Sequence, residues 1–191
     1  KFHYSSKRLF LVKGSGVDLN KNYYDKILKK NIILFPARIL LHKGIIEFIK
    51  AAKILSPKYN NWEFIIAGTS EYNSPISINQ KKIKDLINTE NIKWVGYQNN
   101  LYELMNSSKI VCLPSYREGM PKSLNEAAAS GCAIITTDVP GCRDSIINNH
   151  NGYLCEVKNY KNLAEKLEKL LLNNDLLEKF SENSRKFAEE N

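Results

Sequence analysis

Two pairs of charged side chains in this sequence are spaced for chemistry on a polar, anionic ligand. Arg38 and Lys43 stand in the stretch ARILLHKG, residues 37–44, between an apolar segment and the start of a helical pattern. An arginine can give two hydrogen bonds to one phosphate and a lysine adds a compact charge, so the pair suits a phosphate at a helix start. Glu118 and Glu126 enclose seven residues within EGMPKSLNEAAASG, residues 118–131. Ionised carboxylates only accept hydrogen bonds, so one on a loop and one inside the following helix suit hydroxyls on two parts of a ligand. Gly119 permits close backbone approach, and the helix start offers N–H groups that no helical carbonyl satisfies. Each residue also has a plainer reading. Arg38 and Lys43 could be solvated surface cations, Glu118 a complement to the helix dipole, and Glu126 a solvated helix residue.

The elements that must position these groups alternate between strand and helix. Residues 31–37 (NIILFPA) are a continuous apolar run, the mark of a strand buried on both faces. From Gly44 the pattern IIEFIKAAKIL places Ile45, Phe48, Ile49, Ala52 and Leu55 on one helical face, and Pro57 stops it. Strands are expected at 62–67, 91–96, 109–113, 132–137 and 151–157. Helices are expected over 77–88, 100–107, 121–130, 160–173 and 175–189, with a short one after the turn DVPGCRD. Pro121 suits a first helical turn, where its missing N–H costs nothing, and Gly131 ends that helix. Strands separated by helices imply parallel pairing with right-handed crossovers, hence a Rossmann-like, doubly wound α/β sheet. In such a sheet ligands bind beyond the carboxyl ends of the strands, where both charged pairs fall. Residues 1–25, which include RLFLVKGSGVDL, look like a linker and strand outside the repeating unit. Residues 26–175 form the binding domain, and 176–191 a C-terminal helix that packs on it.

Composition bounds the rest. With 191 residues, 43% hydrophobic and 25% charged, the chain is globular. No apolar run approaches the ~20 residues that span a bilayer, which leaves a soluble chain or one attached at most to a membrane surface. Twenty-eight Lys+Arg against twenty Asp+Glu favour anionic partners without choosing among nucleotides, lipids and nucleic acid. Lys29-Lys30 and Lys81-Lys82 read as solvated faces. Cys112, Cys132, Cys142 and Cys155 have no paired metal-ligand spacing and read as reduced thiols, and no metal site is expected. Gly14-Ser15-Gly16 lacks the third glycine and the helix of a dinucleotide fingerprint, and no GxxxxGK[ST], HExxH or GxSxG occurs.

Taken together, six ordered blocks resemble the retaining glycosyltransferases of family 4, which have the GT-B fold. They are ARILLHKG (37–44), IIAG (65–68), WVGY (94–97), LPSYREGMPKSLNEAAASG (113–131) with its E-x7-E spacing, TTDVPGCRD (136–144) and NGYL (151–154). The wording of LPSYREGMPK and DVPGCRD is most similar to the branch that builds bacterial surface glycans on polyprenyl-diphosphate carriers. The resemblance implies a hexosyltransferase, and for this chain the donor-binding half alone, with the N-terminal GT-B domain as its missing partner. The isolated piece is then expected to bind a nucleotide sugar weakly and to transfer almost nothing.

The same resemblance implies roles. Arg38 and Lys43 would hold the donor's diphosphate as it leaves, and Glu118 would bind donor-sugar hydroxyls with backbone N–H groups of Gly119 and Met120. Ser123 and Leu124 would offer amides to a phosphate, Glu126 would accept from the ribose, and Val95, Gly96 and Tyr97 would lie along the base. It implies a nucleoside-diphosphate sugar, with a UDP-sugar first and GDP or ADP open, and a lipid-linked or polysaccharide acceptor. It implies no cofactor, metal or nucleic-acid partner, and a cytoplasmic location, at most peripheral on the inner face of the membrane. Thr69-Ser70 departs from the family pattern, which often has a second glycine after Gly68. Two alternatives stand beside this reading: a GT-B-fold epimerase of UDP-N-acetylhexosamine, and a non-enzymatic basic module for nucleotides or nucleic acid.

Overall fold

A computed structural model describes residues 16–70, 77–87 and 90–191. Its centre is β1 (Lys30–Pro36), which is flanked by β2 (Glu63–Ala67) and β4 (Ser108–Leu113). Ile33, Leu34 and Phe35 of β1 are fully buried, as the uninterrupted apolar run predicts for a strand covered on both faces. Beyond these lie β3 (Ile92–Gly96), β5 (Ala133–Thr137) and β6 (Gly152–Cys155). All the pairings are parallel and the order is β3-β2-β1-β4-β5-β6. The chain therefore winds one way from β1 to β3, crosses back, and winds the other way from β4 to β6. The switch point lies between β1 and β4.

The helices are α1 (Ile45–Leu55), α2 (Gln80–Leu86), α3 (Leu101–Ser107), α4 (Lys122–Ala129), α5 (Tyr160–Leu171) and α6 (Asn174–Glu190). The five apolar residues predicted for one face of α1 are all buried. Phe48 of α1 packs with its ring tilted against Phe35 of β1 (ring centroids 5.2 Å apart) and stands edge-on to Phe64 of β2 (6.2 Å). Helix α1 pairs with α5, whereas α4 pairs with α6 and touches α3, so helices cover both faces. Leu163, Leu167 and Leu170 of α5 and Leu177 and Phe180 of α6 fill the core, as their spacing predicts.

Four local expectations need correction. The helix after β2 starts at Gln80 with Asn79 as its cap, because Ser77 instead bridges to Leu40 in an antiparallel pair. The short helix expected after DVPGCRD is a single 3-10 turn, Arg143–Ser145, that begins inside that segment. Pro121 caps α4 in an extended conformation, one residue before the first turn. Lys29 does not belong to a solvated face. Its ammonium donates to the carbonyls of Ser108 (2.7 Å), Ser130 (2.6 Å) and Met105 (3.4 Å), at the C-terminal ends of α3 and α4. Helix C-termini carry partial negative charge, so a cation enclosed there is favoured although burial pulls its pKa down. The strand expected in RLFLVKGSGVDL falls largely outside the described residues. Of residues 16–25, Lys21 and Tyr23 bond to the Asn106 side chain, and Asn22 to Arg185.

Candidate functional site

The loops that follow β1 and β4 meet at the switch point. Gly44 closes the first of them in a left-handed conformation (φ 76°). A β-carbon there would stand 2.0 Å from the Pro114 carbonyl oxygen, so only glycine lets this loop rest on the end of β4. The His42 carbonyl in turn accepts the Tyr116 N–H (2.7 Å) and the Ser115 hydroxyl (3.0 Å). With the loops joined in this way, Lys43 Nζ reaches Glu118 Oε1 at 2.5 Å, and the two side chains are only 18% and 11% exposed. Residues 75 positions apart thus form one partly desolvated ion pair.

His42 reports on the surrounding charge. Its pKa is held below the ordinary imidazole value, first by burial and then by Lys43, Arg117 and Arg38, with Glu118 opposing them. The exposed Arg38 and Arg117 therefore act on the same imidazole as the ion pair. His42 is neutral at pH 7, and its Nδ1 is buried without a hydrogen-bond partner among the described residues. A second close approach fixes the Glu118 loop from behind. Gly141 adopts φ 80°, and a β-carbon there would lie 2.2 Å from Gly119 O. The DVPGCRD turn is thereby pressed against Glu118-Gly119.

Helix α4 starts just after this loop. Its cap, Pro121, makes no side-chain hydrogen bond and the first turn holds no acidic residue, so the positive end of the helix dipole is left uncompensated. Leu124 does not match the expectation of an open amide, because its N–H already donates to Pro121 O (2.9 Å). Ser123 lies one residue nearer the open end. Glu126, 24% exposed, sits 3.5 Å from Lys122 on the same helix face. It lines a cavity of about 760 Å³ together with Lys122, Tyr97, Gln98, Leu101 and Tyr102. Tyr97 is 70% exposed and forms part of that wall. Val95 and Gly96 end β3 beside it, and the Val95 carbonyl is occupied by the Gln98 amide (2.7 Å). The Met120 side chain turns elsewhere, toward Ser145 and a separate cavity of about 260 Å³ shared with Asn125 and Asp144.

Lys43 and Glu118 are thus in direct contact with Arg38 in electrostatic range, while Glu126 and Tyr97 share one cavity. The continuous segment from Glu118 to Glu126 joins the two places. Sequence reasoning missed Tyr116, whose hydroxyl donates to buried Glu47 (2.9 Å), and also His42 and Gly141. Glu47 lies in the first turn of an amphipathic helix, where an acid ordinarily just complements the dipole, so it gave no signal. Among the described residues no group of acidic, histidine and cysteine side chains could hold a metal, and no helix is long and apolar enough to cross a membrane.

A six-stranded parallel sheet of this order, with helices on both faces, defines a Rossmann-like α/β domain. The chain belongs to the family described as "Glycosyl transferases group 1", whose profile matches residues 18–187. Over 143 residues it is 36% identical to the N,N'-diacetylbacillosaminyl-diphospho-undecaprenol alpha-1,3-N-acetylgalactosaminyltransferase of Campylobacter jejuni, covering 75% of this chain and 36% of the relative. It is 30% identical to the capsular polysaccharide biosynthesis glycosyltransferase CapM of Staphylococcus aureus, over 87% of this chain and 43% of the relative. The chain therefore spans less than half the length of these relatives. Among solved structures it matches the C-terminal domain of a group 1 glycosyl transferase (LpcC) from Francisella tularensis with a TM-score of 0.77 and 27% identity. That match covers 92% of this chain and 97% of the domain. The fold is also that of Anabaena HepE, solved with UDP, at a TM-score of 0.81, 16% identity, and coverage of 92% and 51%.

Proposed function

We propose that this chain is the donor-binding half of a retaining, metal-independent hexosyltransferase. The whole enzyme moves a hexose or N-acetylhexosamine from a UDP-sugar to a hydroxyl of a polyprenyl-diphosphate-linked glycan at the cytoplasmic face of the membrane. The observation that carries this reading is the Lys43–Glu118 contact at the switch point, continued along one segment to Glu126 and its cavity. Arg38, Lys43 and the open end of α4 stabilise the negative charge that grows on the diphosphate as the bond to the sugar breaks. Glu118 accepts hydrogen bonds from the sugar hydroxyls and Glu126 from the ribose, which fixes the two ends of the donor around the phosphates. Cationic side chains and the helix end take the place that a divalent ion holds in other transferases. The relatives named for transfer to undecaprenol-linked saccharides support the acceptor class.

Titration calorimetry with UDP, GDP, ADP and a short DNA duplex tests the assignment. UDP binds, and Glu126→Ala weakens it about 5- to 150-fold, the ~1–3 kcal/mol of a charged hydrogen-bond acceptor. Glu118→Ala spares UDP but removes the preference for UDP-sugar over UDP. Unchanged nucleotide affinities in both variants, or salt-sensitive duplex binding without nucleotide binding, refute the assignment.

A further inference from the structure

Glu47 is an unusual residue for the buried side of α1. It is 8% exposed, and its Oε1 accepts the Tyr116 hydroxyl at 2.9 Å while Oε2 is buried without a partner among the described residues. A carboxylate is held in such a place only by compensating interactions. Here they are the N-terminal turn of α1 and one hydrogen bond that is strong because its acceptor is charged. On its other side the Tyr116 ring carries the Lys158 ammonium, 5.0 Å from its centroid. Lys158 itself holds a left-handed backbone (φ 60°), uncommon for a non-glycine residue. Burial and the Glu47 carboxylate together keep the phenol protonated, so it remains a donor throughout the neutral range.

The sequence positions make this contact more than a local bond. Glu47 is four residues after Lys43, and Tyr116 two residues before Glu118. The two site loops are therefore joined by three successive rungs: the Lys43–Glu118 ion pair, the His42 carbonyl with Tyr116 N–H and Ser115 Oγ, and the Glu47–Tyr116 bond. The first rung is the one that a ligand must open, since Lys43 would turn to phosphate and Glu118 to the sugar. The other two touch no ligand and stay closed. We infer that Tyr116 and Glu47 are a positioning pair that holds the Glu118 carboxylate at the sugar-reading distance once the ligand has taken Lys43 away from it. The inference rests on the proposed donor site and adds to it the residues that set its selectivity for the sugar.

The test is the ratio of affinities for UDP-sugar and UDP, measured calorimetrically on this chain. UDP-N-acetylgalactosamine, UDP-N-acetylglucosamine, UDP-galactose and UDP-glucose serve as probes, and the tightest is carried forward. Tyr116→Phe keeps the ring under Lys158 and deletes only the hydroxyl. It should leave UDP affinity within about twofold and lower UDP-sugar affinity about five- to twentyfold, a partial loss of the hydrogen bonds that a displaced Glu118 accepts from the sugar. Glu47→Gln, made separately, keeps an acceptor for the hydroxyl and should retain most of the wild-type ratio. If Tyr116→Phe does not fold, the ratio for Glu47→Ala decides in its place. A ratio that is unchanged, or UDP and UDP-sugar affinities that fall in parallel, overturns the positioning role while the donor site stands. A wild-type chain that binds none of these nucleotides overturns the donor site itself, and the positioning role with it.

Discussion

Replacing Gly44 with alanine should damage both stability and the site, by amounts that the structure lets one separate. The new methyl would lie 2.0 Å from the Pro114 carbonyl oxygen, about 1.5 Å inside ordinary van der Waals contact. The β-carbon is fixed by the backbone and the carbonyl is main chain, so neither can rotate away. The left-handed backbone costs an alanine about 1–2 kcal/mol, and forcing the loops apart adds about 1–3 kcal/mol of overpacking. The sum, roughly 2–5 kcal/mol, lowers the melting temperature by roughly 4–20 °C in a domain of this size. Gly96 provides the control. It is also left-handed (φ 70°), but nothing lies within 4 Å of the position its β-carbon would occupy. Gly96→Ala should therefore show only the conformational cost of about 1–2 kcal/mol. Thermal unfolding by circular dichroism compares the two variants, and calorimetry on folded Gly44→Ala should find UDP binding weakened because Lys43 has been displaced. Equal losses of melting temperature in the two variants would refute the argument that close approach, rather than backbone conformation, demands glycine at the switch point.

Two further outcomes follow from charges that the fold encloses. His42 has a folded-state pKa below the unfolded value of 6.5, so the unfolded chain binds more protons just below that pH. The stability His42 contributes is then present above about pH 6.5 and is lost as pH falls through the folded pKa. Chemical denaturation between pH 7 and 5 should show this loss in the wild type and a shallower one in His42→Gln, and identical slopes would contradict it. Lys29→Met removes the ammonium shared by the helix-end carbonyls of Ser108 and Ser130. Unfolding in urea should show a loss of about 2–3 kcal/mol, the scale of hydrogen bonds to a charged group. A variant as stable as wild type would mean that the burial cost of the charge cancels those bonds.

The order of strands and helices is legible in the sequence because each core strand is a short apolar run and each helix shows its own apolar stripe. Ile33–Phe35 and the Ile45, Phe48, Ile49, Ala52, Leu55 face are read correctly because the same residues decide both pattern and burial. Arg38, Lys43, Glu118 and Glu126 are legible as candidates because the ends of parallel strands are where ligands collect. Contacts that join distant segments left no local trace. Lys29 looks like any surface lysine until α3 and α4 bring their carbonyl ends around it. Glu47 looks like a dipole partner until Tyr116 arrives from 69 residues away. The Leu124 amide is not legible as occupied because the first turn of α4 opens with a tight three-residue hydrogen bond to the Pro121 carbonyl, which the residue types do not announce.

At the unliganded switch point Lys43 and Glu118 already neutralise each other. A bare inorganic anion that enters can satisfy the lysine but leaves the carboxylate half-buried and without a counterpart, so the exchange gains little. A molecule that brings phosphate and hydroxyls together rehouses both partners at once. The abundant small anions of a cell should therefore compete poorly for Lys43 itself, although the chain as a whole is positively charged.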